Sequence, residues 1–381
     1  MTRVTVKPEL IEWACQRAGV APDALADRFP RLSAWLARQS QPTLKQLEEF
    51  AKATHTPFGF FFLPQPPVEE VPIPDFRTIR GAAIRRPSPD LLDTIYICQQ
   101  RQEWYREYAL ITGEQPFPFV RSAKTTDDVV EVAASMRDAL AFDLDERQRM
   151  RTWEDALRRF IEQAENLGVL VMVNGVVGSN NRRKLDPQEF RGFALADDLA
   201  PLVFINGADT KAAQMFTLAH ELAHLWLGES ALTDVEPRSA PTNAVENWCN
   251  RVAAELLAPL DVVRTELRRG EPVRDAMDRL ARRFKVSTLV ILRRIHDAGR
   301  LSRDRFWQEY DAEVERLMSA PRGAGGSFYL TTAARVSKRF ARAVIASTWE
   351  GRSTFTEAFR LLGFKKMSTF RELGQSLGAA V

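Results

Sequence analysis

Two histidines four residues apart, with a glutamate directly after the first, are the residues of this sequence best suited to chemistry. They are His220, Glu221 and His224, in the apolar segment TLAHELAHLWLG. Residues four apart on an α-helix project from one face, so both imidazoles can bind the same metal ion. The spacing suits two ligands of a tetrahedral zinc, with Glu221 in reach of a bound water as general base. The alternative is a pair of hydrogen-bonded core histidines.

A third protein ligand has to come from another segment. The remaining histidines, His55 and His296, are interpreted as structural or surface residues, so a carboxylate is expected. The candidates lie in the loop after the motif and in the helix predicted from NAVENWCNRVAAELLAPL: Glu229, Asp234, Glu236, Glu246 and Glu255. Glu246 and Glu255 are nine residues apart and point to opposite sides of that helix, so only one can face the metal. Asn243 and Glu246 also fit a capping box, which is the alternative role of Glu246.

The periodicity of apolar residues predicts the elements that position this motif. Residues 88–167 have helical periodicity, and Val169–Val173 is predicted to be a short buried strand. Arg191–Ala196 and Pro201–Gly207 are predicted to pair as a β-hairpin. Helices then follow from Lys211 to about Ala298. The expected fold class is α+β, mainly α, with a small sheet beside the motif helix.

The chain is expected to have four parts. Residues 1–63 form a compact helical unit, and residues 64–87 form a stiff linker with five prolines between Pro64 and Pro74. Residues 88–320 form the main domain, with its core in 150–300. After a Pro-Arg-Gly-Ala-Gly-Gly break, residues 321–381 form a basic helical C-terminal region.

Composition excludes several classes of protein. With 381 residues, 45% hydrophobic and 27% charged, the chain is a globular protein of two or three domains. No apolar run has the length of a transmembrane helix, and the N-terminus has no signal-peptide core, so a cytoplasmic protein without membrane contact is expected. Cys15, Cys98 and Cys249 are an odd number without a C-x-x-C motif and are interpreted as free thiols.

Positive charge is concentrated at the C-terminal end. Residues from Gly325 to Val381 carry a net charge of +6, while the whole chain has only +3 and the rest is therefore at −3. Such a tail can contact phosphate or an acidic partner. A solvated helical face is the alternative.

Four segments resemble the ImmA/IrrE family of bacterial metallopeptidases, which are similar to gluzincin-type zinc proteases. They are the hairpin RGFALADDLAPLVFING, then HELAHLWLG, ENWCN and AAELLAP. The resemblance covers about residues 150–300. It departs from the family pattern at Trp248 and Cys249, where the family more often has Glu and Ala.

The resemblance implies a zincin-like domain in which His220, His224 and Glu246 hold Zn²⁺ and Glu221 is the catalytic base. Asn250, one helical turn after Glu246, would orient a ligand. It also implies the substrate class, because members of the family cleave transcriptional repressors or antitoxin-like regulators in stress, phage or mobile-element responses.

The N-terminal unit separately resembles the XRE-type helix-turn-helix, the Cro/repressor class. The similar residues are WLARQSQPT followed by LKQLEEFAKATHTP. The expected recognition helix, FPRLSAWLARQ, offers Arg31, Ser33 and Arg38 but few base-reading amides, and Pro30 stands where it should begin. DNA binding is therefore open but not favoured. A domain that forms a homodimer or holds the substrate is preferred.

Two functions compete. The first is an intracellular zinc endopeptidase acting on a helix-turn-helix regulator. The alternative is a sequence-specific DNA-binding regulator with a structural or sensory zinc site. Glu221 favours the first, because a structural site needs no base. For the first function, strand Arg191–Ala196 is a candidate edge for pairing with an extended substrate, and an inner packing strand is the alternative.

Overall fold

A computed structural model describes residues 3–75, 87–233, 243–319 and 334–378. The chain divides into two compact units, residues 1–72 with 79–96 and residues 73–78 with 97–381. The fold is mainly helical with a small mixed sheet, which confirms the predicted α+β class. Across the described ranges, no helix combines the length and the hydropathy that a bilayer span requires.

The N-terminal unit is built from short helices around an aromatic core. Thr43 accepts a hydrogen bond from the backbone N–H of Gln46, and the Gln46 side chain returns one, so a capping box starts the third α-helix. Trp35, Phe50 and Phe61 are buried at the centre. The helices are α1 (Pro8–Arg17), α2 (Leu32–Leu36) and α3 (Leu44–Ala53), with 3₁₀-helices at Pro22–Leu25 and Phe58–Phe62.

The segment expected to be a recognition helix is helical over five residues only, in α2. Arg31, Ser33 and Arg38 are exposed, and a guanidinium nitrogen of Arg38 lies 2.5 Å from a carboxylate oxygen of Glu9. About one and a half turns is short for a helix that has to enter a major groove. The helix-turn-helix assignment of this unit stays a prediction.

The second unit carries most of the chain. Its helices run from α4, which begins in the first unit, to the C-terminal end: α4 (Pro89–Thr112), α5 (Val129–Leu140), α6 (Leu144–Arg149), α7 (Trp153–Leu167), α8 (Lys211–Leu227), α9 (Ala244–Leu257), α10 (Leu260–Glu266), α11 (Val273–Phe284), α12 (Thr288–Asp297), α13 (Arg303–Ser319), α14 (Lys338–Trp349), α15 (Phe355–Leu362) and α16 (Met367–Ser376). Its strands are β1 (Leu170–Asn174), β2 (Val176–Val177), β3 (Asn180–Lys184), β4 (Gly192–Leu195), β5 (Leu202–Asn206) and β6 (Ala231–Thr233).

The main sheet has four strands in the order β1-β5-β4-β6. β1 pairs with β5 in parallel, whereas β4 is antiparallel to both β5 and β6. The predicted strand at Val169–Val173 and the predicted hairpin are confirmed as β1 and as β4 with β5. The sequence did not predict β6 or the separate β2–β3 hairpin.

Helix α8 lies at the centre of the core, because nearly all of its residues from Gln214 to Trp226 are buried. It packs against α9 and α7 and against β4 and β5. Apolar residues all round a helix are typical of one that is enclosed on every side.

The C-terminal helices are bound to the rest of the second unit by polar contacts. The buried carboxylate of Glu165 accepts hydrogen bonds from the Ser337 hydroxyl (2.5 Å) and from the backbone N–H of Lys338 (2.7 Å), at the start of α14. The guanidinium of Arg101, also buried, donates to the carbonyl of Leu361 in α15 (3.0 Å). These helices are therefore docked on the unit. The predicted break at 321–326 lies outside the described residues, and so do residues 76–86 of the predicted 64–87 linker.

Gly192 gives the first testable prediction, because a side chain at this position would overlap the core. A Cβ atom there would lie 2.5 Å from Thr217 Cγ2 and 2.8 Å from the carbonyl oxygen of Phe204. We expect Gly192→Ala to lower the free energy of unfolding by about 1–3 kcal/mol, the usual cost of overpacking. Urea denaturation measures this. The matched control is Gly59→Ala, where a Cβ has nothing within 4 Å. An unchanged urea midpoint for Gly192→Ala would contradict the prediction.

Candidate metal centre

Helix α8 presents the motif from inside the core. The Thr210 side chain accepts a hydrogen bond from the backbone N–H of Ala213 and caps its start, and Gly228 ends it in the left-handed conformation (φ 73°). His220, Glu221 and His224 have no exposed surface. Polar side chains buried so completely have to be satisfied by one another or by a ligand.

Three donor atoms converge on one point between α8 and α9. His220 Nε2 lies 3.1 Å from His224 Nε2, and the Glu246 carboxylate oxygens lie 3.3 Å from His220 Nε2 and 3.1 Å from His224 Nε2. Among the described residues, His220, His224 and Glu246 form the group of potential metal ligands whose ligand atoms all lie within 4.8 Å of one another.

The spacing of these atoms fits a tetrahedral metal ion. Metal–ligand distances of about 2.0–2.1 Å separate two ligands of a tetrahedral zinc by roughly 3.3 Å. The two histidine nitrogens are 3.1 Å apart, and each lies 3.1–3.3 Å from one of the two Glu246 carboxylate oxygens, which is close to that size. Two nitrogen donors and one carboxylate oxygen also match the donor types that zinc takes in catalytic sites. The residues present therefore fit a metal ion.

Two asparagines, Asn250 within α9 and Asn243 at its N-cap, help to position the cluster. The Asn250 amide oxygen lies 3.1 Å from His220 Nδ1, and an amide oxygen can only accept. The proton is thus on Nδ1, so the Nε2 lone pair of His220 faces the cluster. Asn243 caps α9 by accepting from the Val245 N–H, while the Glu246 carboxylate points to the histidines and does not complete a capping box.

The charges of the cluster stabilise one another. Burial opposes ionisation of Glu246, but its hydrogen bonds and attraction to His220 and His224 outweigh burial and lower the pKa to about 2. Burial also acts against charge on the histidines. For His220 the contacts with Glu246 prevail and the pKa is raised, whereas for His224 burial and the repulsion from His220 prevail and the pKa is lowered. The arrangement thus keeps an anionic carboxylate beside a neutral imidazole, as a metal site requires.

Glu221 has a different environment. Burial raises its pKa to about 8, against the opposing charge of His220 and a hydrogen bond from Thr233. The Thr233 hydroxyl donates to Oε1, while Oε2 has no hydrogen-bond partner among the described residues. A buried carboxylate oxygen without a donor is suited to receive a proton. The sequence did not single out Thr233, because a three-residue strand is too short to give a periodic signal.

The other candidate ligands lie elsewhere. The Glu255 carboxylate forms a buried ion pair with Arg294 on the opposite side of α9, as the nine-residue spacing predicts. Glu229 is exposed, and the His296 ring packs at a tilt against the Phe306 ring of α13, with 4.9 Å between centroids. His55 belongs to the first unit. Asp234 and Glu236 are outside the described residues.

Of the two alternatives for strand Arg191–Ala196, the structure shows the inner packing strand and not the sheet edge. β4 is an inner strand with β5 on one side and β6 on the other, and its four residues are all buried. The outer side of β6 is itself in contact with the chain, since the Leu232 N–H donates to the Pro74 carbonyl (2.9 Å) and Asp75 forms a parallel bridge. An extended substrate cannot pair with β4 while β6 is in this position.

A histidine pair on a buried helix, a glutamate from the next helix and a small mixed sheet together define a metallopeptidase-type centre. Comparison with known proteins agrees: residues 164–296 match the family described as the IrrE N-terminal-like domain. The match over this segment agrees with the resemblance to the ImmA/IrrE family that the sequence predicted. Residues 336–376 match a family described only as a domain of unknown function.

A curated relative matches over a shorter length. It is the radiation response metalloprotease IrrE of Deinococcus radiodurans, 35% identical over 91 residues. The alignment covers 23% of this chain and 28% of that protein.

The cluster predicts how metal content responds to substitution. We expect close to one metal ion per chain in the purified protein, and loss of most of it in His220→Ala and in His224→Ala, because each removes one donor atom. Asn250→Ala should weaken the affinity by about 10–100-fold through His220. Elemental analysis after dialysis measures the content, with exposed Glu229→Gln as the control. Full retention of metal in both histidine variants would rule out the site.

Proposed function

We propose that this chain is a zinc-dependent endopeptidase. The observation that carries the proposal is the convergence of the His220, His224 and Glu246 side chains, whose ligand atoms lie within 4.8 Å of one another, beside a buried glutamate with one free oxygen. A structural zinc site is usually closed by four protein ligands, whereas a catalytic site has three. The three-donor set and Glu221 together favour hydrolysis over a structural role.

The residues divide the chemistry among them. His220, His224 and Glu246 would hold the zinc, which when bound supplies Lewis acidity that polarises the scissile carbonyl and acidifies the attacking water. Glu221 accepts the water proton at Oε2 and later returns it to the leaving amine. Thr233 donates to Oε1 and fixes the carboxylate, so that Oε2 is the oxygen that exchanges the proton. A pKa raised by burial suits a group that takes up and releases a proton near neutral pH.

We further propose that the substrate is a helix-turn-helix transcriptional repressor or an antitoxin-like regulator, cleaved in a stress, phage or mobile-element response. The match of residues 164–296 to the family supports this. The relative in Deinococcus radiodurans is named a radiation response metalloprotease, which agrees with a stress role. The test is incubation of the zinc-loaded protein with a candidate regulator, followed by mass spectrometry of the fragments.

Substitutions of the two glutamates separate catalysis from metal binding. Glu221→Gln keeps the size of the side chain and removes the proton acceptor, so the metal should stay while cleavage falls by about 10²–10⁴-fold. Glu246→Gln removes a charged oxygen ligand, so metal affinity and cleavage should fall together. Metal analysis and cleavage assays on the same samples measure both, with Glu229→Gln as the control. Loss of metal in Glu221→Gln would make Glu221 a ligand and not the base.

Access to Glu221 gives a further prediction. β6 covers β4 and has three residues. Among the described residues, its outer side is paired by a single bridge. We therefore expect β6 to open locally, since short elements with few backbone hydrogen bonds have the lowest opening free energies. Native-state hydrogen exchange should give the Leu232 amide a lower opening free energy than the amides of Val203 and Ile205 in the inner strand β5. Equal values for the three amides would mean that β6 opens only with the whole sheet.

A further inference from the structure

The β2–β3 hairpin touches the C-terminal helices at its tip. The Ser179 hydroxyl donates to the Gly363 carbonyl (3.1 Å), in the turn that follows α15. Gly363 has a φ of 72°, and a Cβ there would lie 2.4 Å from Ser179 Oγ. The close approach depends on glycine, so the hairpin and this turn form one continuous surface.

This surface is strongly basic. Arg182 and Lys184 on β3, and Lys365 and Lys366 directly after the turn, are all exposed. None of these four cations is in an ion pair within the described ranges. Asp186, the first acid after the hairpin, accepts a hydrogen bond from the Gln188 N–H instead (2.8 Å).

The dimensions suit a polyanion with regular charges. Along a strand, Lys184 lies about 17 Å from Ser179, and three residues of chain place Lys366 within roughly 11 Å of Gly363. The four cations therefore span up to about 28 Å, or close to eight base pairs at 3.4 Å each. Charges over such a length match a nucleic-acid backbone better than one phosphate group.

The shape and side chains of the hairpin favour duplex DNA. A two-stranded β-ribbon fits the major groove, where amides and guanidinium groups read base edges. Asn181 and Arg182, adjacent on the ribbon, are both exposed. We propose that the β2–β3 hairpin and the Lys365–Lys366 turn form a DNA-binding surface, independent of the N-terminal unit and of the peptidase centre. The three lysines and Arg182 would contact phosphates, which supply affinity, and the ribbon would enter the groove.

The experiment measures binding of the full-length chain to a fluorescein-labelled duplex by anisotropy as salt rises. At least four phosphate contacts predict a slope of log affinity against log salt near about −3.6, and so a loss of about 100-fold between 50 and 200 mM salt. The double variants R182Q/K184Q and K365Q/K366Q should each reduce the slope by about 2. The control R268Q/R269Q removes the same charge from exposed positions elsewhere in the second unit and should not change the slope.

Three results would overturn the proposal. One is the absence of DNA binding at about 50 mM salt. Binding of an acidic polymer such as polyglutamate without binding of DNA counts as the same result. Another is an unchanged slope in both site variants whose circular dichroism matches the wild type. The third is a loss of binding confined to R31Q/R38Q, which would assign DNA contact to the N-terminal unit.

Discussion

The burial of ionisable groups on α8 is the constraint on which the second unit depends. His220, Glu221 and His224 have no exposed surface, and Glu246 is nearly as buried. Removing such groups from water costs several kcal/mol each unless partners or a metal compensate. The compensation comes from α9, which brings Glu246 and Asn250 to the histidines, and from β6, which brings Thr233 to Glu221. The packing of α8 against α9 and the sheet is therefore also the way the site is assembled.

Helix geometry alone predicts that residues four apart lie on one face, and the structure brings the His220 and His224 side chains together. The sequence predicted the third ligand less completely. Helical phase separates Glu246 from Glu255, but it does not say which side of α9 meets α8; the family resemblance supplied that choice. In the structure Glu255 neutralises the buried guanidinium of Arg294, a long-range pairing that no local pattern contains. Such pairings are fixed by tertiary packing and are beyond what spacing can predict.

The sheet decides between two alternatives that the sequence left open. Residues 192–195 are the continuous apolar run Gly-Phe-Ala-Leu, and a run without alternation is typical of a strand buried on both faces. That signal favoured an inner strand over an edge. The strand that covers it, β6, follows α8 after a short turn and pairs over only three residues. No hydrophobic pattern indicates that β6 contacts Glu221. The one indication in the sequence is that β6 follows the motif within a few residues.

The C-terminal region is connected to the candidate metal centre more closely than a solvated basic tail would be. β1 pairs with β5 next to α8, and its last residue, Asn174, donates from its side chain to the Gly178 carbonyl (2.7 Å) and so shapes the β2–β3 hairpin. The tip of that hairpin contacts the turn at Gly363, while Glu165, near the end of the helix before β1, caps α14. One strand of the sheet that packs on α8 therefore leads directly into the basic surface. Because these contacts are within a single compact unit, a ligand bound on the hairpin is held at a fixed distance from the metal centre. A protein bound to that ligand would then lie near the candidate metal site. Its effective concentration at the site would be set by this fixed distance and not by the length of a flexible linker.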